Sequence, residues 1–251
     1  MRLALLTDLH ANREALTACL AHAEQQGAER YAFTGDFVGY GADPGWVVDT
    51  VMRYVEQGAV AVQGNHDQSV TRATRPQMHM EAREVIDWTR TQLNDAQLDF
   101  LRKLPLTVEQ PGMLFVHASA HEPEAWEYVK TSVEAERSLK AARCRMVFSG
   151  HVHAPALYRR ADDGRMGVVQ PGVGGVASTR VPLQPQHQYL AIPGAVGQPR
   201  DANPAACYAL YDDVRRELHF HRVPYDNGAA ARRVIEAGLP IVFAMRLIEG
   251  I

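Results

Sequence analysis

Short apolar runs alternate with helical stripes through the first 150 residues. Residues 3–7 (LALLT) are too few for a helix and suit a buried strand. Over residues 13–26, Leu16, Cys19, Leu20 and Ala23 recur at helical spacing, and Gly27 supplies a stop. Residues 31–34 (YAFT) read as a second strand. Pro44 suits the first turn of a helix, whose apolar face runs through Val47, Val51 and Val55 until Gly58. Residues 59–63 (AVAVQ) read as a third strand. Repeated strand–helix–strand units with short connections predict a parallel α/β sheet.

Helical spacing returns over residues 78–103, where Asn94 and Gln97 form a capping box that starts a second, shorter helix. Strands are expected at 106–109 and 113–117, divided by the turn Gln110-Pro111-Gly112. A helix over 133–143 and a strand over 145–149 follow. Beyond residue 150 proline and glycine become dense. Runs at 156–160, 167–170, 189–192, 207–211 and 218–223 predict antiparallel-rich strands, and residues 226–237 a closing helix. Residues 181–199, rich in proline, read as one long irregular segment.

Composition excludes several classes. The chain has 251 residues, 26 Lys+Arg against 29 Asp+Glu, and a formal net charge of −3. That balance argues against a nucleic-acid or membrane-surface partner, although it leaves room for a local basic groove. Cys19, Cys144 and Cys207 are scattered and no CxxC occurs, which argues against a disulfide framework or zinc-thiolate site. Asp8 interrupts the N-terminal apolar run, and no stretch reaches the ~18 apolar residues of a membrane helix. A soluble, cytoplasmic protein of one domain, residues 1–251, is the expectation. Oligomeric state is not legible.

The polar residues with chemical potential follow strand ends. Asp8-Leu9-His10 follows the first strand, Gly35-Asp36 the second, and Gly64-Asn65-His66-Asp67 the third. His117 ends the 113–117 strand, and Gly150-His151-Val152-His153 follows the 145–149 strand. Ligands of open α/β sheets bind outside the carboxyl ends of strands. Each block alone also has a structural reading, as a cap, an Asx-turn or a packed core histidine. Together the blocks point to a metal, because polar groups gathered in a core need partners.

In this order the five blocks resemble the signature of the calcineurin-like metallophosphoesterases: D-x-H, G-D, G-N-H-[DE], a separate H, and G-H-x-H. The resemblance is strongest over residues 3–153. The stretches GDFVGYGADP and IPGAVGQPRD look like a bacterial branch of small phosphodiesterases and phosphatases. It implies an α/β fold, a four-layer α-β-β-α sandwich of two mixed sheets flanked by helices. It also implies two divalent ions. Asp8, His10, Asp36 and His153 would hold the first; Asp36, Asn65, His117 and His151 would hold the second. Asp36 would bridge, as a carboxylate has two oxygens to share. A nitrogen and oxygen donor set without thiolates suits Mn or Fe first, then Zn, Ni or Co.

The implied reaction is hydrolysis of a phosphodiester or a small nucleotide phosphate ester by a metal-bridging hydroxide. His66 would protonate the leaving oxygen, with Asp67 accepting a hydrogen bond from its ring. Arg200, after the proline-rich segment, would approach bound phosphate through its planar fork. Residues 67–77, 118–130 and 181–200 would carry specificity. Alternatives are a nuclease, a phosphomonoesterase or protein phosphatase, and a non-catalytic metal-bound scaffold.

Overall fold

The computed structural model describes residues 1–72, 80–172 and 177–251, and in it two mixed sheets pack face to face. The first holds β1 (Arg2–Leu6), β2 (Arg30–Phe33), β3 (Val60–Ala61), β9 (Ser178–Pro182), β11 (Ala206–Asp212) and β12 (Glu217–Val223). Their spatial order is β3-β2-β1-β11-β12-β9. The second holds β4 (Thr107–Gln110), β5 (Met113–Val116), β6 (Met146–Phe148), β7 (Ala156–Arg160), β8 (Met166–Val169) and β10 (Gln188–Ile192), in the order β4-β5-β6-β10-β7-β8.

Helices close the outer faces and make four layers. Against the first sheet lie α1 (Arg13–Gln25) and α2 (Pro44–Glu56); against the second lies α6 (Ser132–Ala142). The sheet of β1 is therefore covered on both faces, which is why its sequence is continuously apolar rather than alternating. Leu3 and Leu5 of β1 pack between the sheets with Phe115 and Phe148, while Ala4 and Leu6 pack outward with Leu16 and Cys19 of α1.

The parallel units are as the pattern predicts: β1 pairs β2 and β2 pairs β3 in parallel, as do β5 and β6. β10, expected among antiparallel strands, is antiparallel to β7 but parallel to β6. Gln110 pairs with Met113 across the expected turn between β4 and β5. The Asn94 and Gln97 side chains exchange hydrogen bonds with each other's amides at 2.9 and 3.0 Å, separating α4 (Met80–Gln92) from α5 (Asp95–Lys103). The expected start of that helix at Met78 lies outside the described residues.

Several elements differ from the pattern. Residues 181–199 are not one irregular segment, since they contain the end of β9 and all of β10. β9 exists because β12 offers it a free edge, a pairing that local sequence does not encode. Asn65, His66 and Asp67 are not in a turn: they open a short helix, α3 (Asn65–Thr71). A further helix, α8 (Ile241–Glu249), follows α7 (Asn227–Glu236), and the two share a core with Val85 of α4.

The outer face of the first sheet carries a titratable cluster. His221 of β12 stacks on Tyr208 at 4.9 Å and meets His22 of α1 edge-on at 5.1 Å. Burial pushes the His221 imidazole down to about 4, and His22 and His219 add to the effect. The unfolded chain therefore takes the extra proton between about pH 6.5 and pH 4, and stability falls as pH falls through that window. Urea midpoints should drop on acidification there, and drop less in His221→Leu. Equal slopes for the two proteins would show that His221 does not carry the effect.

Candidate metal centre

The loops after β1, β2, β3, β5 and β6 converge at one end of the sandwich. Most of the predicted donors arrive on loops that leave their strands sharply, and Asn65 arrives at the first position of α3. Asp8, His10, Asp36, His151 and His153 all have positive φ, between 44° and 69°. Left-handed backbone costs a non-glycine residue about 1–2 kcal/mol, and here it turns side chains back over the strand ends. Gly64 is needed for space rather than for φ, which is −96°. A Cβ there would lie 2.2 Å from the Asp36 amide nitrogen and its Oδ1.

Two donor groups share Asp36. Asp8, His10, Asp36 and His153 form one, and Asp36, His117 and His151 the other, each with its donor atoms within 4.8 Å of one another. In the first, the Nε2 atoms of His10 and His153 are 3.1 Å apart, and His153 Nε2 is 3.3 Å from Asp8 Oδ1. In the second, His117 Nε2 lies 3.3 Å from Asp36 Oδ2, 3.2 Å from His151 Nδ1 and 3.1 Å from Asn65 Oδ1. All seven predicted metal-site residues are thus brought together.

The chemistry of these atoms tests whether a cation fits. The Nδ1 atoms of His10 and His153 donate to the carbonyls of Val38 (3.1 Å) and Gln198 (2.7 Å). Each Nε2 therefore presents a lone pair, and the two lone pairs face each other. Burial holds both imidazoles well below the usual histidine range, so protonation does not relieve the contact. Burial also pushes His151 down to about 3, with His117 adding to it, and Asp8 up to about 7. Burial pushes Asp36 upward too, but His117, His66 and His10 outweigh it and hold Asp36 well below its ordinary value. His117 answers in kind: burial lowers it, and Asp36 more than compensates, to about 9. Acceptors that converge in a buried space with so few donors fit divalent cations, and the cluster fits a dinuclear metal site.

His66 is buried beside the cluster. Its ring is edge-on to His10 at 5.0 Å, and its Nδ1 has no hydrogen-bond partner among the described residues. Burial lowers its pKa, Asp36 opposing. The expected hydrogen bond between Asp67 and the His66 ring is not made. Asp67 Oδ1 instead accepts from the amides of Phe37 (2.8 Å) and Val38 (3.4 Å), and Oδ2 from Gly64 (2.9 Å). As the third residue of α3, Asp67 points back at the helix start, where unpaired amides collect. It ties the β2 loop to the β3 loop and contributes nothing to the His66 ring.

Arg200 stands at the mouth. Its amide donates to the His153 carbonyl at 3.2 Å, and its guanidinium donates to Gln198 Oε1 at 3.2 Å. Asp201 does not hold it, since Asp201 pairs with Arg222. Three aromatic residues at the centre escaped the sequence reading. Tyr40 packs on His10 at 4.6 Å, Tyr128 stacks on His151 at 4.1 Å, and Trp126 lies 5.9 Å from His117. Tyr40 sits inside the run GDFVGYGADP, whereas nothing local to Tyr128 or Trp126 marks them. Of the three expected specificity segments, residues 67–71 are helical and 73–77 lie outside the described residues. Residues 118–130 and 181–200 supply Tyr128, Trp126 and Gln198. Among the described residues no helix is long and apolar enough to cross a membrane.

Comparison with known proteins agrees with this geometry. A metallophosphoesterase structure from Sphaerobacter thermophilus superposes with a TM-score of 0.88 at 31% identity, covering 100% of this chain and 99% of that one. A hypothetical protein, PH1004, from Pyrococcus horikoshii shares the fold at a TM-score of 0.79 and 19% identity, over 99% and 98% of the two chains. The uncharacterized protein MJ0912 of Methanocaldococcus jannaschii is 29% identical over 253 residues, spanning 99% of this chain and 98% of its own. The profile of the calcineurin-like phosphoesterase superfamily domain matches residues 1–215. With that match running past every member of the donor cluster, the chain belongs to the calcineurin-like phosphoesterase superfamily.

Proposed function

We propose that this protein hydrolyses phosphodiesters or small nucleotide phosphate esters at a dinuclear centre, with Mn or Fe preferred and Zn, Ni or Co as substitutes. The observation that carries the reading is the sharing of one buried carboxylate, Asp36, by two groups of converging acceptors. Two bound ions supply a water acidified toward neutral pH and a clamp on the phosphoryl oxygens.

The chain's own residues do the rest. Asp8, His10, Asp36 and His153 hold one ion; Asp36, Asn65, His117 and His151 hold the other. Asn65 contributes a neutral oxygen, which limits the negative charge that an incoming phosphate anion meets. His66 donates a proton to the leaving oxygen: its ring lies beside the donor cluster, and its Nδ1 has no hydrogen-bond partner among the described residues. Arg200 offers a guanidinium to the phosphate from the His153 side, supported by its amide contact with His153. The slightly acidic charge balance, net −3, supports small substrates over long nucleic acids.

Chelated protein reloaded with manganese should cleave a cyclic nucleotide, a dinucleoside polyphosphate or a chromogenic phosphodiester, and the chelated protein should not. A preference for a phosphomonoester or for single-stranded DNA would replace this substrate class, and no turnover with any metal would leave the scaffold reading. Asp36→Asn should lower bound metal from about two ions per chain to below one by elemental analysis, with loss of activity. Near-normal metal content and rate in that variant would remove the bridging role. His66→Gln should keep its metals and lose about 10²–10⁴ in turnover of a poor leaving group, with a smaller loss for a nitrophenyl ester. Loss of metal from this variant would make His66 a ligand instead.

A further inference from the structure

Tyr40 lies between Gly39 and Gly41 on the loop after β2, four residues beyond Asp36, with φ at 65°. That is a rare conformation for so bulky a side chain. Its ring centroid is 4.6 Å from His10, 4.6 Å from His66 and 5.0 Å from Phe243 of α8. The Arg200 guanidinium carbon lies over the same ring, 5.6 Å from its centroid. One ring therefore touches a member of the donor cluster, the proposed proton donor, the proposed phosphate-binding cation and the C-terminal helix.

Both proposed catalytic groups need such a contact. Among the described residues no hydrogen bond fixes the His66 ring at Nδ1, and Asp67 is committed to backbone amides. Packing is what orients it. Gly39 abuts the Nδ1 edge of the ring so closely that an added Cβ would come 2.4 Å from His66 Nδ1, and Tyr40 meets the ring edge-on, at 61°. Among the described residues no carboxylate pairs with Arg200; its side chain has a neutral amide, Gln198, and Tyr40, which it meets at both the ring and the hydroxyl. An aromatic face holds a cation without cancelling its charge, which leaves the guanidinium available to an anion. Phe243, buried in the α7–α8 core, packs against the same ring at 5.0 Å, tilted by 33°.

We infer that Tyr40 is a positioning residue for the proposed hydrolysis, its ring setting the orientation of His66 and Arg200 together. The inference rests on the phosphoesterase reading but is testable apart from it. Tyr40→Phe keeps the ring and Tyr40→Leu removes it. Four quantities separate the outcomes: metal content, binding of inorganic phosphate by calorimetry, turnover of good and poor leaving groups, and the His66 ring signals in NMR, assigned by their loss in His66→Gln. Metal content should stay the same in both variants. Tyr40→Leu should shift the His66 signals, weaken phosphate binding, and lower turnover of a poor leaving group about tenfold to a hundredfold, with a smaller loss for a nitrophenyl ester, which needs the Arg200 contact but not the proton. Tyr40→Phe should restore the His66 signals and most of the turnover. Phe243→Leu should move the same quantities in the same direction, by less.

Unshifted His66 signals and unchanged phosphate affinity in Tyr40→Leu would overturn the inference. So would equal losses on both leaving groups, because they mark a general structural defect. Should the wild-type protein cleave no phosphate ester, the proposed function fails by itself, and the His66 signals together with phosphate affinity still decide whether Tyr40 positions these groups.

Discussion

Everything at the open end of the sandwich depends on lone pairs forced to face one another. The Nε2 atoms of His10 and His153 meet at 3.1 Å with their Nδ1 protons already given to carbonyls. Around Asp36, Asn65 Oδ1 and His151 Nδ1 crowd His117 Nε2, whose imidazole the carboxylate keeps protonated up to about pH 9, so that one proton serves three acceptors. Such an arrangement is unfavourable in a buried space unless a positive charge enters it. The fold accepts that cost because the strands fix where each side chain begins, and because the carbonyls of Val38, Gln198 and Thr34 fix which nitrogen points inward.

That constraint explains the backbone around it. Five donor residues adopt left-handed φ, a concentration of strain that packing elsewhere must hold. The two-sided burial of the strands provides the holding: Leu3 and Leu5 face one core, Ala4 and Leu6 another, so β1 cannot shift to relax Asp8 and His10. Asp67 acts in the same sense. By accepting the amides of Phe37, Val38 and Gly64 it locks the loops that carry Asp36 and Asn65 to each other. Its carboxyl is pushed up to about 7, by burial first and by the Asp36 charge second.

The C-terminal helices join the site through aromatic contact rather than through donors. Phe243 of α8 meets Tyr40, and Tyr40 meets His10 and His66. Asp43, at the start of α2, pairs with Arg233 of α7, which anchors α7 near the loop that carries Tyr40. A late segment of the chain thereby bears on residues contributed by the first strands.

The sequence alone determined the first parallel units, the capping box at Asn94 and Gln97, the turn before Met113 and the seven polar residues that converge beyond the strand ends. Those features are local: helical spacing, strand alternation and short motifs at strand ends are written in adjacent residues. It also determined that the donors carry nitrogen and oxygen but no thiolate. What only the tertiary structure decided depends on partners distant in the chain. β9 forms because β12 leaves an edge beside it, and Asp67 is held by the amides of Phe37 and Val38, about thirty residues away, as well as by the nearby Gly64 amide. In sequence Asp67 stands beside His66, and nothing local shows those distant amides. In the fold, three unpaired amides lie within reach of its carboxylate, and satisfying buried amides outweighs a contact with a ring that packing already holds. Tyr40, Tyr128 and Trp126 reach the centre by the same route, for a ring's partner across a cleft is set by how the sheets stack and not by the residues beside it.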